Sequence, residues 1–120
     1  MIVERTSYYA KPGRSAEVLA IRRHASAVRV KLGLAVGTIY VKAGGDGPDV
    51  RWECVYTSQA EYDQDLAARG GSPDFEAVRV SMRNQIDRFE RHVDQRDTGP
   101  LANGMVDTPL ADIPVVPREI

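Results

Sequence analysis

Val50-Arg51-Trp52-Glu53-Cys54-Val55-Tyr56-Thr57, running directly into Ser58-Gln59-Ala60-Glu61, is the stretch that decides the fold. Its first part alternates. Val50, Trp52, Cys54 and Tyr56 fall on one side of an extended chain, and Arg51, Glu53, Val55 and Thr57 on the other, as in a strand with one face on a core. Its second part has the form of a capping box, in which Ser58 caps the amide of Glu61 and Glu61 reaches back to the amide of Ser58. A helix through Tyr62 and Leu66 follows and stops at Gly70-Gly71. Upstream, Thr38–Lys42 is a short strand, and the turn formers Gly44-Gly45-Asp46-Gly47-Pro48-Asp49 join it to Val50 as an antiparallel hairpin.

Outward from this centre the pattern repeats. Ile2–Tyr9 is rich in β-branched and aromatic residues and reads as a strand ended by Lys11-Pro12-Gly13. Ser15 then caps a helix whose apolar stripe is Val18, Ile21, Ala25, Val28 and Leu32. Arg22, Arg23 and Arg29 are expected on its wet side, and Gly33 at its stop. Ser72-Pro73 opens another helix with Phe75, Val78, Met82 and Ile86 buried. Arg88–Arg96 reads as a last strand, with Phe89, Arg91 and Val93 alternating against Glu90, His92 and Asp94. The order β-α-β-β-α-β is the split pattern of an α+β, ferredoxin-like domain: a four-stranded antiparallel sheet with its helices on one face. The bare face predicts a second copy, closing a dimeric α+β barrel.

Composition excludes several classes of function. Among 120 residues, 16 basic and 17 acidic ones give a net charge of -1, so no broad basic surface is expected for nucleic acid. No apolar run is long enough for a membrane span. Nothing at the N-terminus reads as a signal peptide, and a single cysteine fits a reducing, cytoplasmic setting. Residues 1–97 form the expected domain. Residues 98–120 form a tail in which Pro100, Pro109, Pro114 and Pro117 exclude regular helix, while several apolar side chains favour an extended, docked segment.

His24, His92 and Cys54 supply no metal-ligand spacing, and Gly44-Gly45-Asp46-Gly47 lacks the residues that complete a phosphate loop. No metal, flavin or nicotinamide is therefore expected. Cys54, alternating with apolar neighbours, reads as a buried structural thiol. His92 is the one candidate general base near neutral pH. Arg51, Glu53, His92 and Tyr40 are expected on the bare face, and a set of ion pairs, chiefly Arg51 with Glu4 or Glu53, is the alternative to a ligand there. Ile2, Glu4, Thr6 and Tyr8 oppose Val3, Arg5, Ser7 and Tyr9 on the first strand, and the pattern leaves open which set faces inward.

The opening Glu4-Arg5-Thr6-Ser7-Tyr8-Tyr9-Ala10-Lys11-Pro12-Gly13 resembles that of NIPSNAP-family domains, with Glu4, Tyr8, Lys11, Pro12 and Gly13 matching in place. Tyr56, Ser58, Ala60, Glu61, Ala68, Arg69, Pro73 and Phe75 continue the likeness, which covers about residues 2–95. The resemblance implies a homodimer in the dimeric α+β barrel superfamily, alongside the antibiotic biosynthesis monooxygenases. It also implies Glu4 and Tyr8 inside the barrel, giving an interior set of Glu4, Tyr8, Tyr40, Arg51, Glu53 and His92. The functional expectation is a small-molecule-binding or interaction module for a small aromatic or polar molecule, with no evident catalytic motif. The alternative is a cofactor-independent monooxygenase-like enzyme acting on an aromatic or polyketide-like substrate.

Overall fold

The computed structural model describes residues 1–99 and 109–112. Its elements are β1 (Ile2–Ala10), α1 (Ser15–Lys31), β2 (Thr38–Val41), β3 (Val50–Tyr56), α2 (Gln59–Gly70), α3 (Pro73–Arg83) and β4 (Ile86–Gln95). The four strands form one antiparallel sheet in the order β2-β3-β1-β4, an α+β ferredoxin-like arrangement. Of the expected tail, residues 98–99 and 109–112 are described, the latter with a 3-10 turn at Leu110–Asp112. The rest of the expectation for residues 98–120 lies outside the described residues.

The alternation read in β3 sets the register. Val50, Trp52, Cys54 and Tyr56 are each 1–2% exposed and face the helices, while Arg51 and Val55 are exposed on the opposite face. A one-residue slip would drive Arg51 and Glu53 into the core, so the pairing Glu4↔Cys54 and Thr6↔Trp52 is strongly specified. Trp52 Nε1 donates to Val36 O at 2.9 Å, satisfying the polar edge of the largest core residue. Val18, Val50, Met82 and Ile86 form one core cluster; Ala25, Val28, Phe75 and Val78 form another between α1 and α3.

Several local expectations change in the structure. Ser15 does not cap α1; its hydroxyl donates instead to Asp49 Oδ1 at 3.0 Å. Asp49 also accepts from the amide of Ala10 at 2.9 Å, so it ties the hairpin loop to the end of β1. These hydrogen bonds, chiefly that from Ala10, hold its carboxyl below the usual range. Ser58 accepts from the amide of Glu61 at 3.1 Å as expected, but the Glu61 carboxylate reaches the amide of Thr57 at 2.7 Å, one residue before the predicted partner. Ser72 caps α3 through the amide of Phe75, with Pro73 in its first turn.

Ile86 is not on a helix. It opens β4, and a bulge there pairs Tyr9 with Arg88 but Ala10 with Ile86. Phe89, Arg91 and Val93 face the helix layer, so strict alternation would point Ile86 the other way. The extra residue in the bulge reverses that parity and returns Ile86 to the core.

Arg22 and Arg29 overturn the expectation for α1: they are 5% and 0% exposed. Four residues advance a helix by only about 40° beyond a full turn, so Arg22 follows Val18 and Arg29 follows Ala25 onto the buried side.

Gly37 (φ +74°) packs against Trp52. A Cβ built there would lie 2.4 Å from Trp52 Nε1 and 2.7 Å from the Glu53 carbonyl oxygen. Gly37→Ala is predicted to cost about 2–3 kcal/mol through the left-handed backbone and this clash. A denaturant-melt midpoint unchanged from wild type would contradict this packing.

Candidate functional site

The six residues expected in one interior lie on two faces. Tyr40, Arg51, Glu53 and His92 share the bare face, as predicted. Glu4 and Tyr8 do not: Glu4 is fully buried on the helix side, and the Tyr8 hydroxyl accepts from Arg22 Nη1 at 3.4 Å. The four that share the bare face do not converge. Tyr40 is on β2 and His92 on β4, the two edges of the sheet, so three strand spacings of about 14 Å separate their backbones.

The bare face carries small ion pairs in place of a ligand set. Glu53 pairs with Arg5 at 3.2 Å, and Arg5 also pairs with Asp94. Arg51 pairs with neither Glu4 nor Glu53; its guanidinium lies 4.8 Å from the centre of the Tyr40 ring. His92 is exposed, with Nε2 3.4 Å from Glu90. A shallow depression on this face is lined by Met1, Val3, Arg5, Val55, Asp94, Gln95 and Arg96, and none of the six expected residues reaches it.

The helix side holds the more structured site. Glu4 takes Arg69 from α2 at 2.8 Å and Arg91 from β4 at 3.1 Å. Arg69 Nε sits 2.9 Å from Asp65 Oδ1, at an angle suited to an ion pair and not to a hydrogen bond. Asp65 in turn receives the fully buried Arg29 from α1. Arg29 also donates to the Tyr56 hydroxyl at 3.3 Å, donates to the Ala35 carbonyl, and lies over the Trp52 ring at 4.7 Å. A continuous chain of charge thus crosses the layer between sheet and helices.

Burial alone would lower the Arg69 guanidinium, but Glu4 and Asp65 beside it hold it above its ordinary value. Burial pushes the Tyr56 hydroxyl far above the usual phenol range, with Cys54 adding to the effect and Arg29 opposing it. Cys54 is buried, as its alternation implied, with Sγ 3.9 Å from Arg29.

Beside this chain an open cleft of about 450 Å³ runs between the sheet and the helices. Leu66, Phe75, Val78, Met82, Ile86 and Phe89 supply its apolar walls, and Arg22 and Tyr8 lie among its polar residues. Sequence reasoning missed it because it sought the site on the bare face. The available signal was the helical spacing that puts Arg22 and Arg29 under α1. Among the described residues, no group of three or more His, Cys, Asp or Glu side chains is placed to hold a metal ion. Nor, among these residues, is any helix long and apolar enough to cross a membrane.

No family model matches the sequence, and no curated protein matches it either. Solved structures do share the fold. A NIPSNAP family protein from Agrobacterium tumefaciens aligns at a TM-score of 0.68 with 20% identity, covering 83% of this chain and 97% of that one. An uncharacterized NIPSNAP domain protein from Burkholderia xenovorans aligns at 0.66 with 14% identity, covering 82% and 96%. A putative antibiotic biosynthesis monooxygenase from Bacteroides thetaiotaomicron aligns at 0.60 with 19% identity, covering 82% and 90%. The chain therefore has the α+β ferredoxin-like fold found in NIPSNAP and antibiotic biosynthesis monooxygenase structures, as its sequence resemblance implied.

Two measurements test the charge chain. Asp65→Ala strands Arg29 and Arg69 without their shared carboxylate and is expected to cost about 3–5 kcal/mol by chemical denaturation; a loss below about 1 kcal/mol would show that solvent already reaches them. The neutral Tyr56 phenol is the form favoured by the fold. Its contribution to stability is complete below about pH 10, where an unfolded phenol is still protonated, and is lost as pH rises beyond that. Alkaline difference spectra should show a phenol that ionises only as the protein unfolds, and Tyr56→Phe should remove it.

Proposed function

We propose that this protein is a homodimeric small-molecule-binding module that holds its ligand between the sheet and the helices of each protomer. The observation that carries this reading is the open cleft of about 450 Å³, with apolar walls and a border rich in arginine. Its floor is built by the fold's own contacts: Glu4 accepts from Arg69 of α2 and from Arg91 of β4. The homodimer is supported by the uncovered sheet face, where Val55 and Tyr40 are 47% and 42% exposed at its middle and edge. Packing two such faces together would place Tyr40, Arg51, Glu53 and His92 between the sheets. It would leave one cleft open on the outer side of each protomer.

A cofactor-independent monooxygenase-like reaction is the second reading, favoured by the likeness to structures described as antibiotic biosynthesis monooxygenases. The aromatic walls Phe75 and Phe89 suit an aromatic substrate in either case. Oxygen consumption on addition of an aromatic substrate would favour this reading over simple binding.

Native mass spectrometry of the full chain tests the proposal. The expected species has twice the 13.2 kDa chain mass and carries co-purified small molecules at up to one per chain. Val55→Glu is expected to give monomers that still bind, because Val55 lies on the face opposite the cleft. A stable monomer of the wild-type chain at micromolar concentration would overturn the dimer. Loss of all binding in folded Val55→Glu would place the ligand between the sheets instead.

A further inference from the structure

The cleft is strongly one-signed. Among the described residues, Arg22, Arg69, Arg79, Arg83 and Arg91 border it, and Glu4 is its one carboxylate. Glu4 is taken by Arg69 and Arg91, while Arg79 and Arg83 lean on Glu76 at 3.0 and 3.6 Å near solvent. Arg22 differs from the other four. It is 5% exposed, and among the described residues its Nε and Nη2 meet no acceptor. Its contacts are the face of Trp52 at 4.6 Å and the Tyr8 oxygen at 3.4 Å. An aromatic face and a neutral hydroxyl replace little of the hydration that a guanidinium loses on burial, and arginine does not shed its proton to escape the cost. Tyr8 accepts in this contact, so its own O–H proton remains free to donate.

Resting on the cleft-binding reading above, we propose that the ligand is an organic monocarboxylate with an aromatic or alicyclic body. Arg22 and Tyr8 receive its carboxylate, and Phe75, Met82 and Phe89 enclose its apolar part. A carboxylate at the Arg22 end of the cleft compensates the charge of the buried guanidinium, and it takes the Tyr8 proton as a charge-assisted bond. The excess of arginine around the cleft draws an anion in and disfavours a cation. A free inorganic anion would satisfy the guanidinium but leave the apolar walls uncovered, so the body of the ligand is part of its recognition.

The test compares two probes of nearly the same shape, 2-naphthoate and neutral 2-naphthamide, binding to the full-length protein at pH 7. Naphthoate is expected to bind at least tenfold more tightly. Arg22→Gln should reduce that ratio to about twofold or less. Binding of neither probe would overturn the cleft reading itself. Equal binding of both to wild type would overturn the carboxylate proposal and leave the cleft reading standing. A preference that survives in folded Arg22→Gln would refute the role of Arg22. Should Arg22→Gln fail to fold, the wild-type Arg22 Nε–Hε resonance makes the same distinction: it is expected to shift with naphthoate and not with naphthamide, and a resonance unmoved by naphthoate rejects the assignment.

Discussion

Glu4 sits on the central strand β1 with no exposure to water, and the need to compensate its charge organises the layer above it. A buried carboxylate is tolerated only when paired and hydrogen-bonded. Arg91 meets it from the neighbouring strand β4, and Arg69 descends to it from α2. Arg69 leaves Asp65 positioned for Arg29 of α1, and Arg29 closes on Tyr56 of β3 and on the Ala35 carbonyl. Each link fixes the position of another element, so α1 and α2 are keyed to the sheet by charge as well as by apolar contact. Truncating Glu4, Asp65 or Arg69 strands at least one buried charge, which couples these elements through the charge chain.

The same chain explains why the cleft stands open. Polar side chains with fixed partners occupy the floor where an apolar core would otherwise have collapsed, and α3 packs on α1 through Phe75 and Val78 without reaching over the outer part of β4. Phe89 and Val93 remain 57% and 46% exposed on the helix side of that edge strand. Among the described residues, Arg22 is the member of the buried arginine group with no carboxylate partner. That single unmet requirement gives the cleft its chemical preference.

Much of the fold was legible because β3 alternates without interruption and because Ser58 and Ser72-Pro73 mark helix starts with side-chain chemistry that the structure retains. Ile86 was misplaced because a bulge shifts parity at one residue, and a pattern of period two gives no warning of such a shift. The site was less legible. Arginines in a helix read as solvated by default, yet Arg22 and Arg29 share the stripe of Val18 and Ala25; their burial depends on Asp65, Tyr56 and Trp52, which are distant in sequence. Family likeness placed Glu4 and Tyr8 inside the barrel, on the bare face, and the structure has them on the helix side. Alternation in β1 is ambiguous because both of its faces mix polar and apolar side chains, and the choice between them rests on where Arg69 and Arg91 lie.

The pairing of Glu4 with Arg69 is the most direct place to test whether buried charge holds the helices to the sheet. A double-mutant cycle of Glu4→Gln, Arg69→Gln and the double variant, followed by chemical denaturation, isolates the coupling between them. Each single change is predicted to be strongly destabilising and the two to couple by about 2–3 kcal/mol, since the second loss removes a charge that the first has already stranded. A coupling below about 0.5 kcal/mol would contradict this, because Glu4 would then be compensated by water and would not hold the helices to the sheet.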